Sequence, residues 1–206
     1  MVTAVQMKLI AGSLCLDFVN TVGGRTGDRN IVLRDKLHGY ADLAAWSRLA
    51  GLSTAREARC LEHVAERYPA RAAATLARAV RLREALFRIS KSILGRSAPD
   101  DFDVDVLRNE LSIAKAHERL VRIGAQFVWA WDQPENALDA PLWRVARSAA
   151  DLLTSGDLAK LRQCGGDECG WLFLDTSRNH SRRWCDMKDC GNRAKVRRFR
   201  RRENSK

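Results

Sequence analysis

Four cysteines, Cys164, Cys169, Cys185 and Cys190, follow the pattern C-x4-C-x15-C-x4-C near the C-terminus of a 206-residue chain. Thiolates are soft donors that suit Zn²⁺, an ion that serves as a strut without redox chemistry of its own. Each C-x4-C pair makes a short clamp, and the intervening residues can fold back to present four sulfurs tetrahedrally. The same spacing leaves other chemistries open: two disulfides, a redox-sensing thiol cluster, or an iron–sulfur centre. The N-terminus shows no secretory signal, which disfavours disulfides, and the spacing resembles no standard ferredoxin run. His180 could replace one cysteine as a ligand, although four well-spaced thiols leave it a solvated or outer position. Zinc is therefore the favoured reading. The surrounding segment is also too small to make a core, its main apolar residues being Trp171, Leu172, Phe173, Leu174 and Trp184. A metal would supply the missing folding energy, on the order of 10 kcal/mol in small zinc modules.

A site closed by four protein ligands leaves no open position for a substrate. Elsewhere no motif gathers a nucleophile, a base and an orienting acid. His38, His63 and His117 fall in predicted helices without a ligand partner at useful spacing, and Cys15 and Cys60 have apolar neighbours. The stretch LCLDFVNTVGGRTGDRN carries Asp17, Asn20, Thr21 and Arg25, which could line a small-molecule pocket. Those four could equally be caps and turn formers around Gly23, Gly24 and Gly27. These glycines do not make a phosphate loop, because neither Gly-Lys-Ser/Thr nor G-x-G-x-x-G is present. A small-molecule enzyme is the least favoured function class.

Charge is distributed unevenly. The chain holds 36 Lys and Arg against 25 Asp and Glu, a formal net charge of +11. From Arg162 onward there are 13 basic and 6 acidic residues, so most of the excess sits beside the cysteines. After Cys190 the sequence GNRAKVRRFRRRENSK reads as a helix. Val196 and Phe199 share a face that is expected to pack on the metal knuckle, with Arg193, Arg197, Arg200 and Arg201 in a stripe beside it. Lys195, Arg198 and Arg202 extend the charge. A run of this kind is usually a solvated tail, but this one has no acid before Glu203 and is anchored to a metal site. Guanidinium forks pair with phosphate oxygens and with guanine edges, so nucleic acid is the expected partner, DNA ahead of RNA. An acidic protein partner is the alternative.

The elements that must position these residues are mostly helical. Residues 36–50 repeat apolar side chains at helical spacing before Gly51. Thr54 and Glu57 form a capping box for a helix ending before Pro69. Residues 70–95 are rich in strong helix formers, with Gly95 suited to the C-terminal cap. After a loop over 97–101, another helix is predicted from Asp103 to about Glu118. Residues 120–131 alternate Phe127, Trp129 and Trp131 on one face and turn near Gly124, which predicts a β-hairpin. A final helix of this part runs from Pro141 to about Ser155, ended by Gly156. Around the cysteines, CGGDECG reads as a knuckle, WLFLD as a strand, DTSRNHSRR as a polar turn, and Cys190 as the start of a helix. There Trp171 and Trp184 cover the metal.

The fold class is therefore mainly α. A helical N-terminal domain with a short β-hairpin spans residues 1–158, and a treble-clef-like zinc finger spans 159–206. Core residues such as Leu43, Trp46, Leu86, Phe87 and Trp143 need no cysteine ligand, so the first domain is expected to fold alone. No stretch reaches the ~20 apolar residues of a membrane helix, and the N-terminus lacks a signal peptide's basic region and cleavage pattern. A cytoplasmic protein is expected.

The residues CGNR (190–193), within WLFLDTSRNHSRRWCDMKDCGNRAKVRRFRRR, resemble the CGNR zinc finger, and GSLCLDFVNTVGGR (12–25) is similar to the opening of ABATE domains. The resemblance covers nearly the whole chain and is more specific in its C-terminal part. It implies a mainly helical first domain, zinc on Cys164, Cys169, Cys185 and Cys190, and bacterial origin. It also implies a part in regulating transcription, with a small-molecule effector for the first domain as a further expectation.

Overall fold

The computed structural model describes residues 7–25, 33–132, 134 and 136–203; Gly27 lies outside them. Seven α-helices are present among the described residues. Short α1 (Leu14–Val19) leads to the two-residue strands β1 (Val22–Gly23) and β2 (Arg34–Asp35), which pair antiparallel. Helices α2 (Tyr40–Leu49), α3 (Ala55–Arg67), α4 (Pro69–Leu94) and α5 (Asp101–Ala116) follow. Then come the hairpin β3 (Glu118–Ile123) and β4 (Gln126–Trp131), and α6 (Ala140–Thr154). A 3₁₀ turn over Gly156–Lys160 leads into β5 (Leu161–Gln163), which pairs antiparallel with β6 (Leu172–Leu174). A π-helical turn over Met187–Gly191 precedes α7 (Asn192–Glu203).

Local chemistry sets most boundaries. Thr54 and Glu57 form the expected reciprocal cap at α3, with Glu57 N–H donating to Thr54 Oγ1 at 3.2 Å and Thr54 N–H to the Glu57 carboxylate at 2.6 Å. Helix α2 starts at Tyr40 rather than residue 36. The Asp42 carboxylate accepts from the N–H groups of His38 and Gly39, which ties those residues into the cap ahead of the helix. Helix α5 begins at Asp101, two residues earlier than its pattern suggests, because Asp100 caps it by accepting from Phe102 N–H at 2.8 Å. Asp103 is consequently inside the helix, buried and paired with Arg88. At the end of α4 the left-handed residue is Arg96 (φ 56°), while Gly95 remains right-handed.

The largest core is continuous across the 158/159 division. Phe18, Leu43, Trp46, Leu82, Leu142 and Ala146 from the helices are at most 1% exposed, and so are Leu172 and Phe173 of β6. All belong to one packed cluster that also reaches the four cysteines. The backbone is stitched in the same place. Asn20 Nδ2 donates to Leu172 O at 2.8 Å, and Leu172 N–H donates to Asn20 Oδ1 at 2.9 Å, both buried. Leu174 N–H donates to Ala11 O, Trp171 Nε1 to Val22 O, and the N–H groups of Gly24 and Arg25 both reach Cys169 O. Residues 20–25 therefore run along the finger as if they were part of it. In this packing α1 lies against β6 and α4 against β5, so the finger's hairpin covers side chains of the first domain.

An ion cluster around buried Arg83, which helical periodicity does not reveal, fixes the same segment from the other side. Arg83 on α4 is 2% exposed and grips Asp35 with two bonds of 2.6 and 2.7 Å, while also donating to Thr21 Oγ1 and Glu84. Glu84 in turn accepts from Arg25 at 2.5 Å, and the Arg25 guanidinium lies 4.3 Å from the centre of the Phe87 ring. Burial opposes the charge on Asp35 and Glu84, but their arginines outweigh it and hold both carboxyls below the usual carboxylate range.

Two stability outcomes follow. Asn20→Ala strands a buried N–H and a buried C=O of Leu172, each worth about 1–3 kcal/mol, so it should lower Tm by roughly 5–15 °C at unchanged helical content. Ending the chain at Thr154 removes β5 and β6 from beneath α1 and α4, and this fragment should lose cooperative thermal unfolding by circular dichroism.

Candidate metal centre and the basic helix

The knuckle sits at the tip of the β5–β6 hairpin. Gln163 ends β5 and the pairing continues one step as Cys164 N–H donates to Trp171 O at 2.8 Å. Between these positions the chain turns through Gly165 and Gly166, closed by Cys169 N–H donating to Gly166 O at 3.0 Å. Gly170 completes the turn with φ +70°, and a Cβ there would lie 2.1 Å from Arg25 O, so no larger residue fits. The second clamp is brought up by the returning chain, where Gly165 N–H donates to Arg183 O at 2.9 Å.

The polar loop between strand and return is organised by Asp175, which is fully buried. Its carboxylate accepts from the Ser177 hydroxyl and N–H and from Arg182 N–H, and these bonds, the hydroxyl first, depress its pKa. Arg182 then donates to the carbonyls of Trp184 and Cys185 and lies 4.4 Å from the Phe173 ring centre. The run that reads as a polar turn is thus also a folded brace for the third ligand. His180 is exposed, with Nδ1 3.2 Å from Asp175 O, and is not part of the cysteine cluster.

All four sulfurs are buried and lie within 4.8 Å of one another, with Cys169–Cys185 and Cys185–Cys190 separations of 3.6 Å. A tetrahedron with Zn–S bonds of about 2.3 Å has sulfur–sulfur edges of about 3.8 Å, so the spacing fits the ion. None of the four is in a disulfide. The donor set is S₄, closed, and suited to a structural metal.

The residues around Cys190 each have a physical task. Gly191 lets the chain close on itself: a Cβ there would meet Met187 Sδ at 2.6 Å and Trp184 Cδ1 at 3.2 Å. Asn192 Nδ2 donates to Lys188 O and ties off the π-helical turn. The Arg193 guanidinium donates to Cys190 Sγ at 3.2 Å and meets Asp189 at 3.1 Å, and the sulfur contact raises its pKa. Four thiolates around Zn²⁺ carry a net charge of −2, and Arg193 partly neutralises it from outside the coordination shell. Lys8, from the first segment, pairs with Asp186 at 2.9 Å and Asp189 at 3.3 Å and anchors the same turn. Trp171 flanks the centre with Lys36 over its ring, and Trp184 packs near Gly165 of the knuckle and Gly191 of the π-helical turn.

Helix α7 departs from expectation in one respect. Val196 and Phe199 are 49% and 61% exposed and do not pack on the knuckle. No residue of α7 is buried. The helix is held by charge instead: Arg193 to Asp189, and Arg197 to Asp167 in the knuckle at 3.2 Å. At 100° per residue this turns the Arg193, Arg197, Arg200 and Arg201 side toward the finger. Lys195, Arg198 and Arg202 then form an exposed outward stripe.

The four residues suggested as pocket-lining serve the chain's own structure. Asp17 Oδ1 accepts from Ile10 and Ala11 N–H, and burial pushes its carboxyl pKa up. Asn20 holds Leu172, Thr21 donates to Phe18 O, and Arg25 meets Glu84. The histidines stay apart: His38 and His63 are exposed beside Asp42 and Glu66, and His117 stacks on Trp143 at 3.7 Å. Arg83, Arg182 and the Asp175 brace carry no sequence signal that separates them from surface charge.

A mainly helical body fused to a closed tetrathiolate knuckle defines a zinc-finger protein. Residues 12–156 match the model of the ABATE family, described as "putative stress-induced transcription regulator", and residues 160–203 match the CGNR zinc finger. The chain belongs to the ABATE family and carries a C-terminal CGNR zinc finger. No curated protein matches it. Both families are of regulator and zinc-finger type. No helix among the described residues is long and apolar enough to cross a membrane.

Elemental analysis should find one zinc per chain, and Cys185→Ser should lose it. Arg193→Ala should keep the stoichiometry but weaken zinc retention against a competing chelator by about 10- to 100-fold, as loss of an outer-shell partner does elsewhere.

Proposed function

We propose that the protein is a transcriptional regulator that binds DNA through α7, with Lys195, Arg198 and Arg202 contacting the duplex and Arg193, Arg197, Arg200 and Arg201 on the side toward the finger. The observation that carries this reading is the projection of a cationic helix without a buried residue from the cysteine cluster. A solvated tail would not need its first turn tied to a zinc ligand. Here Arg193 and Arg197 hold the helix at a set angle, so that the outward cations reach a duplex together. A helix of this charge matches a major groove, whose phosphates line both walls and whose guanine edges accept guanidinium forks.

What supports a sensing role is a cavity of about 710 Å³ that opens beside the cysteine cluster, lined among others by Lys8, Arg34, Lys36, Trp171, Cys190 and Arg193. A molecule held there touches both the first domain and the residue that anchors α7. That supports coupling of an effector to the angle of the helix. Asp17, Asn20, Thr21 and Arg25 do not line this cavity, so their part in sensing is indirect: they set the position of the segment that does.

The test is salt-dependent binding. Replacing Lys195, Arg198 and Arg202 together with alanine should leave zinc content and helicity unchanged and weaken affinity for duplex DNA. The slope of log affinity against log salt should fall by about 2–3 units, near 0.9 for each phosphate no longer neutralised. An unchanged slope and affinity removes α7 from DNA binding and favours an acidic protein partner. Competition by RNA at equal charge separates duplex DNA recognition from general polyanion binding.

A further inference from the structure

A second cavity, of about 420 Å³, runs along one side of α6 and shares no lining residue with the cavity beside the cysteines. Arg144, Arg147, Ser148, Asp151 and Leu152 line it, at the spacing of a single helix stripe. Trp131 at the end of β4, Ser13 ahead of α1 and Leu174 at the end of β6 complete its walls.

The charges of this groove are matched, with one exception. Arg147 pairs with Asp151 at 2.9 Å and with Glu118, and Asp157 pairs with Lys160 at 2.7 Å. Arg144 is half-buried, yet among the described residues it has no carboxylate within ion-pair distance. Its Nη1 donates to Leu52 O at 2.7 Å, which fixes the guanidinium in place. Nε and Nη2, the edge that takes a carboxylate side-on, have no hydrogen-bond partner among the described residues. The Trp131 ring centre lies 5.9 Å from the guanidinium carbon. Elsewhere a bonded carboxylate raises the pKa of Arg78, Arg88 and Arg147. For Arg144 burial lowers it, and the charge of Glu57 offsets this only in part. A guanidinium held in position, partly stripped of water and left without a counter-charge is unfavourable in the free protein.

We infer that this groove binds a small monocarboxylate with an apolar or aromatic body, its carboxylate taken side-on by Arg144. Trp131, Leu152 and Leu174 supply the apolar contacts for the body. The hydroxyls of Ser13 and Ser148, 3.3 Å apart, offer a second polar contact. Charge selects the class: one unmatched guanidinium neutralises one negative charge, while Asp151 and Asp157 on the lining oppose a dianion such as phosphate. The volume lies within the range of about 300–1,000 Å³ that small-molecule sites occupy. Leu174 N–H donates to Ala11 O at 2.8 Å, so a molecule resting on Leu174 touches the seam between the helical body and the finger. The site requires nothing of α7 or of DNA.

Benzoate is the probe, titrated at constant ionic strength into the zinc-loaded, isotope-labelled full chain and followed by NMR. Saturable shifts should appear at the Trp131 indole N–H and the Ser148 amide, with a dissociation constant on the order of 1 mM. Benzyl alcohol, of similar shape but uncharged, should bind at least about 10-fold more weakly, and so should inorganic phosphate. Arg144→Lys keeps the charge and a donor for Leu52 but loses the fork, and should weaken benzoate about 10-fold at unchanged zinc content. The wild-type titration decides the matter even where that variant fails to fold. No saturable shift up to about 20 mM benzoate overturns the inference. So does equal binding of benzyl alcohol or of phosphate, or a response confined to Lys36 and Trp171 in the other cavity.

Discussion

The side-chain amide of Asn20 closes a two-point hydrogen-bond ring with the backbone of Leu172, at 2.8 and 2.9 Å, in a site shut off from water. An amide is one of the few side chains that can donate and accept at once in the geometry of a strand neighbour. It therefore extends the β5–β6 hairpin by one artificial rung and makes the loop after α1 a structural part of the finger. The backbone bonds from Gly24 and Arg25 to Cys169, and the Trp171 bond to Val22, follow from that docking. The metal centre consequently has a floor made by the first domain, and the first domain has a wall made by the finger.

Charge does for the other surfaces what apolar packing does for this one. Four thiolates and a divalent ion leave a negative centre, and the chain surrounds it with Arg193, Lys8 and Lys36 rather than with a larger core. Each of these cations comes from a different part of the sequence, so the centre and the two domains share one electrostatic arrangement. The pair that buried Arg83 makes with half-buried Asp35 is the counterpart on the α4 side. A buried arginine is tolerable only when its donors are used, and Arg83 directs them to Asp35, Thr21 and Glu84. Helix α7, with no buried face, is oriented by ion pairs at its first turns.

Much of this is legible in the sequence where the signal is local. The capping box of α3, the stop before Pro69, the alternation of Phe127, Trp129 and Trp131, and the paired cysteine spacing each act within a few residues. Their consequences depend little on the rest of the chain, so the one-dimensional text suffices to place them. The four zinc ligands belong to the same class because their spacing itself makes the clamps. Val196 and Phe199 show the limit: helical periodicity puts them on one face, but no periodicity says whether a surface lies opposite that face.

The sequence by itself determined the helical body, the hairpin, the donor set of the metal and the position of the cationic helix. Only the tertiary structure decided that the two parts share a core, and that Asn20, Thr21 and Arg25 hold the finger and the ion cluster. It also showed that buried Arg83 and Asp175, with half-buried Arg182, act as braces. The reason is physical. A polar residue has the same composition whether it faces water or a backbone 152 positions away, and only the folded chain supplies the partner that makes burying it tolerable.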